Sequence, residues 1–185
     1  MVEIVKPGLE HLPSYKAALE RGWSPDNVRL EEATREQLAA IEVDPVAFLA
    51  GLDDPEAKGP PVTLPDGTKV PRLPGFRRWI WDGEAAGSIG FRWQHGTAAL
   101  PSHVLGHIGY AEVPWKRRRG YATEALRLML AEARAVGLPF VEITAKPHNP
   151  ASHKVILANG GKLVDRFFED AAYGGAESLR FRINL

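Results

Sequence analysis

The chain has 185 residues, 44% of them hydrophobic, with 23 lysines and arginines against 23 aspartates and glutamates. A neutral domain of this size buries about 70% of the surface its unfolded form exposes, so it folds without a metal or a cross-link, and its balance of charge excludes a protein whose task is to coat nucleic acid. The absence of cysteine excludes a thiol nucleophile, a thiolate metal site and a disulfide framework, and no apolar run approaches the roughly 20 residues of a membrane span.

Met1-Val2-Glu3-Ile4-Val5-Lys6 lacks the basic-then-apolar order of a secretory signal, which makes the cytoplasm the expected compartment. Helical signals follow: Tyr15 to Arg21, then Thr34-Arg35-Glu36-Gln37, whose Thr-x-x-Gln spacing predicts a helix start ahead of Leu38 and Ile41. A short helix is expected from Asp44, with Pro45 in its first turn. Between Asp53 and Gly75 there are six prolines and three glycines in 23 residues, which reads as a long surface excursion with a turn at Pro65-Asp66-Gly67. Strands are predicted at Phe76 to Trp81 and Gly87 to Trp93, joined as a hairpin at Asp82-Gly83, and a third at Val104 to Val113. Ala122, Ala125, Leu126, Met129, Ala133 and Val136 lie on one helical stripe, which Gly137 and Pro139 end. Phe140 to Ala145 reads as a strand, Asn149-Pro150 opens a helix that stops at Gly160-Gly161, and Lys162 to Phe168 and Ser178 to Leu185 read as the last two strands. The expected fold is therefore α/β, a mixed and mostly antiparallel sheet with helices on both faces, formed by residues 1–185 as a single domain.

Chemistry concentrates at Val113-Pro114-Trp115-Lys116-Arg117-Arg118-Arg119-Gly120-Tyr121-Ala122-Thr123, which joins a strand to the long helix. A helix N-terminus carries unpaired N–H groups and about half a positive charge, so it favours an anion. Gly120 and Ala122 remove bulk where a ligand touches the backbone, and the cations before them add attraction. The spacing predicts a polyphosphate ligand. The alternatives for Lys116 to Arg119 are a solvated turn and a nucleic-acid patch; neither a Walker A motif nor G-x-G-x-x-G is present.

Arg117-x-x-Gly120-x-Ala122 resembles the Q/R-x-x-G-x-G/A signature of the GNAT superfamily of N-acetyltransferases. The run Asn149-Pro150-Ala151-Ser152-His153-Lys154-Val155-Ile156-Leu157-Ala158-Asn159-Gly160-Gly161 is similar to that family's second cofactor segment, and Gly106-His107-Ile108-Gly109-Tyr110 resembles a branch of predicted acetyltransferases within it. The resemblance covers roughly Phe76 to Leu185. It implies acetyl-coenzyme A as co-substrate; that no metal is expected follows from the residues themselves. It further implies that the strand Ile108 to Val113 splays from its neighbour, with backbone groups near Ala111 and Val113 pairing with the pantetheine arm, that amides from Arg118 to Thr123 hold the pyrophosphate beside Arg117, Arg119, Gly120, Tyr121 and Ala122, and that Asn149 faces the pantetheine. Asn149 serves equally as a helix cap.

Acetylating an amine needs a neutral nucleophile, at a cost of about 4.6 kcal/mol at pH 7 for a lysine and about 1 kcal/mol for an α-amine. His107 is the first candidate base, against the alternative of a histidine half-buried in a sheet, and Glu112, on the opposite strand face, is the second, against that of a surface carboxylate. Where many family members carry a tyrosine acid this chain has Ile156; Ser152 could substitute through a water, or serve only as a hydrogen bonder at the helix start while the thiolate, of conjugate-acid pKa near 8.5, leaves without a dedicated acid. His95, His103 and His107 have spacings that fit no standard zinc pattern. The predicted activity is acetyl transfer to a primary amine of a small molecule or peptide in a ternary complex, without a covalent acyl-enzyme. The substrate is expected opposite the cofactor, beside the N-terminal helices and the Asp53 to Gly75 excursion. A non-catalytic acyl-coenzyme A sensor is the alternative. No nucleic acid or membrane is expected as partner, and a homodimer stays open.

Overall fold

A computed structural model describes residues 1–185. The chain begins with β1 (Glu3–Val5), α1 (Leu12–Glu20), α2 (Leu30–Val43) and α3 (Pro45–Ala50). The excursion holds three two-residue strands, β2 (Asp53–Asp54), β3 (Val62–Thr63) and β4 (Lys69–Val70). Then come β5 (Gly75–Trp81), β6 (Ala85–Arg92), β7 (Ile108–Glu112), α4 (Tyr121–Val136), β8 (Phe140–Ala145), α5 (Pro150–Ala158), β9 (Lys162–Phe168) and β10 (Glu177–Asn184).

One sheet runs β1-β5-β6-β7, with β2 also on β5, and a second runs β8-β10-β9; every pairing in both is antiparallel. The stripe on α4 does what its spacing predicts: Ala122, Ala125, Leu126, Met129 and Ala133 are buried, and Gly137 ends the helix in the left-handed conformation. Those side chains join Ile89 and Phe91 of β6 with Val141 and Ile143 of β8 and Phe181 and Ile183 of β10 in one core. A second core lies on the other face of the first sheet, where Tyr15 of α1 stacks on Trp79 of β5 at 3.9 Å between ring centroids. Helices on both faces of antiparallel sheets are the predicted fold class.

Two local expectations fail for tertiary reasons. Helix α2 starts at Leu30, so Thr34 lies inside it, where its hydroxyl donates to the carbonyl of Trp23 at 3.1 Å, and Gln37 accepts from the Tyr15 hydroxyl at 2.7 Å. The entry turn is made instead by Asp26, whose Oδ1 accepts from the amides of Val28 and Arg29 at 2.7 and 2.8 Å. The third strand is five residues rather than ten, because Gly106 is pressed against β8, where a Cβ would stand 2.9 Å from the carbonyl oxygen of Glu142. The excursion attaches to the outer edge of β5 through the pairs Asp53↔Phe76 and Asp54↔Gly75. The N-terminal segment that reaches β7 is the α1–α2 connection, where Asn27 donates to the carbonyl of Tyr110 at 2.9 Å.

Candidate functional site

The two sheets face one another along β7 and β8, yet no ladder joins those strands. His107 makes the junction. Its carbonyl accepts from Arg92 on the β6 side at 2.9 Å, while its N–H donates to Glu142 on the β8 side at 2.8 Å. Its ring then takes the next ladder position, with Nδ1 accepting from the amide of Glu142 at 2.9 Å. Beyond that point the strands part, leaving a seam.

Strand parity decides which backbone groups line the seam. Val113 donates to Ala86 and His107 accepts from Arg92, so odd-numbered residues of this segment hydrogen-bond to β6, and even-numbered ones turn their N–H and C=O groups to the open edge. Ala111 and Val113, expected at the cleft, are therefore already paired within the sheet. The open edge belongs to Ile108, Tyr110 and Glu112, with the Tyr110 carbonyl taken by Asn27, a shift of one residue that the strand's own sequence does not reveal.

At the end of the seam, a short 3₁₀ turn at Pro114–Lys116 leads into the start of α4. Arg118 has φ +65° and Gly120 φ +79°, conformations in which successive amides can turn toward one point. No side chain caps the helix at Gly120. The amides of Arg118, Arg119, Gly120, Tyr121 and Thr123 have no partner within the protein, and that of Ala122 donates to Glu112 Oε1 at 3.0 Å. Arg117, Arg118 and Arg119 are exposed beside them. The arrangement is a concave cluster of N–H donors at a helix N-terminus with three guanidinium groups around it, suited to a polyphosphate.

Lys116 does not belong to that cationic set. It is buried, 4% exposed, and pairs with Asp82 and, at 2.8 Å, with Glu84 in the β5–β6 turn. Asp82 also accepts from the Tyr121 hydroxyl at 2.8 Å, so one carboxylate grips both ends of the loop. Burial raises the Asp82 pKa, but the hydrogen bonds from Lys116 and Tyr121 outweigh it and hold the carboxyl below its usual range. From the sequence Asp82 reads only as a turn residue; what anchors the loop is the turn's position beside it.

His107 is corrected as a base. It has no accessible surface, its Nδ1 lone pair is engaged, and burial lowers its pKa, so the ring is a neutral structural element. Glu112 lies on the α4 face, as alternation requires, and is half-buried; desolvation raises its pKa, while the Ala122 amide and Arg117 pull it back. Its carboxylate acts as the missing cap of α4. Asn149 caps α5, its Oδ1 accepting from the Ser152 amide at 3.1 Å, which leaves its NH₂ free. Ser152 Oγ lies 2.9 Å from the hydroxyl of Tyr110, which bridges the seam from β7 to α5 and whose pKa burial pushes up to about 12. The sequence around Tyr110 gives no sign of this contact, because nothing local links it to α5, 42 positions on. His95 and His103 are not gathered with other ligands: no group of three His, Cys, Asp or Glu side chains is placed to hold a metal ion. No helix is long and apolar enough to cross a membrane.

The model of the acetyltransferase (GNAT) domain family matches residues 69–162. No curated protein matches the sequence. Among solved structures, the chain is similar to RimJ of Mycobacterium smegmatis in complex with a coenzyme A disulfide, with 18% identity, a TM-score of 0.65, and coverage of 99% of this chain and 81% of that one. It is also similar to the microcin C7 self-immunity acetyltransferase MccE in complex with acetyl-CoA and AMP, with 13% identity, a TM-score of 0.63, and coverage of 100% and 92%. A third is RimL, a ribosomal L7/L12 alpha-N-protein acetyltransferase, in complex with coenzyme A, with 13% identity, a TM-score of 0.61, and coverage of 100% and 94%. At these identities the likeness is one of fold.

Proposed function

Because the chain belongs to the GNAT family of acetyltransferases, and is therefore an acyltransferase, we propose that it moves an acetyl group from acetyl-coenzyme A to a primary amine by direct attack in a ternary complex, with residues 1–185 acting as one domain. The observation that carries this reading is the unladdered seam between β7 and β8, opening beside a loop whose amides have no partner in the protein. The residues fit the coenzyme. The amides of Arg118 to Tyr121 and of Thr123, with Arg117, Arg118 and Arg119, would hold its diphosphate; the edge groups of Ile108 and Glu112 and the Tyr110 N–H would pair with its pantetheine arm; and the NH₂ of Asn149 would reach the same arm. When bound, the coenzyme supplies an activated thioester.

The chain's own groups then have distinct tasks. An unpaired β7 edge donor orients the acyl carbonyl and stabilises charge on its oxygen. In net terms an N–C bond forms, a C–S bond breaks, the amine gives up one proton and the sulfur gains one. Tyr110 stays protonated at neutral pH and shares a hydrogen bond with Ser152, so this pair delivers a proton at the sulfur. The amine approaches from the face opposite α4. Neither His107 nor Glu112 presents a base to that face, which favours an α-amine: its neutral form costs about 1 kcal/mol at pH 7, against about 4.6 for a lysine. The test is calorimetric titration with acetyl-coenzyme A, followed by thiol release with a panel of amines. Saturable binding and turnover are expected. No heat of binding to folded protein overturns the reading, and binding with no turnover on any amine marks a sensor instead.

A further inference from the structure

A second pair of cations lies on the face of the first sheet opposite α4. Ile89 and Phe91 of β6 point into the α4 core, so alternation sends Ser88, Gly90 and Arg92 to the other side. There the pairs Arg77↔Gly90 and Gly90↔Gly109 run straight across β5, β6 and β7. The two glycines form a floor without side chains. Above Gly90 the nearest atoms to an added Cβ belong to the guanidinium of Arg77, at 3.7 Å, and above Gly109 to that of Arg92, at 3.6 Å.

Neither cation touches a carboxylate. Arg77 Nη1 donates to Ser88 Oγ at 3.1 Å and Arg92 Nε to the carbonyl of Gly106 at 2.7 Å, but neither makes an ion pair. Their neighbour Arg78, on the α4 face, pairs with Glu132 at 2.9 Å, and Arg29, Arg72, Arg166 and Arg182 each have a carboxylate within 4 Å. Arg77 is half-buried; Arg92 reaches solvent along part of its side chain, and desolvation of its guanidinium together with repulsion from Arg77 lowers its pKa. Asp26 attracts Arg92 without touching it, its Oδ1 accepting instead from the amides of Val28 and Arg29, and the Tyr173 hydroxyl donates to the carbonyl of His103 at 2.9 Å. Two like charges on a bare floor favour an anion between them. The floor adjoins the seam, since Gly109 precedes Tyr110, whose backbone is on the open edge and whose carbonyl meets Asn27.

Resting on the acyl-transfer reading, we infer that the acceptor is a primary amine that also carries an oxyanion, a carboxylate or a phosphate, which Arg77 and Arg92 grip while the amine reaches the seam. Guanidinium groups suit both oxyanions, through paired N–H donors.

Matched acceptors test this with acetyl-coenzyme A saturating: amino acids and dipeptides as acids against their amides, for the carboxylate source, and phosphoethanolamine against ethanolamine, for the phosphate source. In at least one arm the anionic member should show a kcat/KM at least tenfold higher. Arg77→Ala and Arg92→Ala should erase that ratio through the acceptor KM, leaving the KM for acetyl-coenzyme A within twofold. Should an alanine variant fail to fold, Arg77→Lys and Arg92→Lys keep the charge and read the same ratio, expected at an intermediate value. Equal rates within every pair, no turnover of any anionic member while the coenzyme binds, or a preference that survives both substitutions would overturn the inference. Wild-type protein that binds no coenzyme would instead overturn the acyl-transfer reading beneath it.

Discussion

The two faces of the first sheet meet ligands in opposite ways. On the α4 face the site is made of backbone: amides at a helix start, an open strand edge, and small residues that keep both accessible. On the α1 face it is made of side chains, Arg77 and Arg92, carried by different strands over a glycine floor. A backbone site recognises what all substrates of a reaction class share, here a diphosphate and a thioester, whereas a side-chain site recognises what distinguishes one acceptor from another.

The division can be broken where the backbone site depends on a side chain. Asp82→Ala leaves Lys116 buried with only the exposed Glu84, and breaking a buried pair costs about 3 kcal/mol or more. We expect that loss in urea melts, together with at least tenfold weaker coenzyme affinity by calorimetry, although Asp82 itself touches no ligand. The Asp82 pKa is lowered in the fold, so its contribution is complete above about pH 4 and lost as pH falls below that, through the folded value. Gly120→Val sharpens the comparison: a branched side chain at φ +79° is strained and projects where nothing else stands within 4 Å. Coenzyme affinity should fall about 100-fold, or ~2.7 kcal/mol, with acceptor selectivity unchanged. Tyr110→Phe and Ser152→Ala should each lower kcat about tenfold and the double variant little further, since the two share one proton path. A strictly additive loss would separate them.

The smallest effect is expected at His107. His107→Asn keeps an acceptor for the Glu142 amide and should cost about 1 kcal/mol, with the pH–rate profile unmoved; loss of the acid-side limb, where a base is protonated, would restore the histidine as a base. The sign of its pH dependence is fixed by burial. A cation whose folded pKa is lowered adds stability above the unfolded value, near 6.5, and that stability declines as pH falls through it toward the folded value. The Asn variant should flatten this slope in melts between pH 7 and 5.

What was legible in the sequence is what neighbours along the chain decide. The α4 stripe, its Gly137 stop and the Asn149 cap depend on residues a few positions apart, and all three are found. What was not legible depends on partners brought in by the fold. Lys116 reads as one of four cations until a turn 34 positions earlier buries it. Ala111 and Val113 were one residue out of phase, because which residues of an edge strand face outward is set by the pairing with β6. Thr34 and Gln37 fit a capping box in sequence, but both are hydrogen-bonded to the α1 region instead. Arg77 and Arg92 carried no signal at all: an arginine without a carboxylate is recognised only when every neighbour has a place.

The imidazole of His107 stands in for a peptide group at the apex between β7 and β8. A wedge held by a ring rather than by a ladder has its opening angle set at folding, not on ligand arrival. The coenzyme should consequently associate in a single kinetic phase, with an observed rate that rises linearly with concentration and shows no plateau from a slow rearrangement of the sheets.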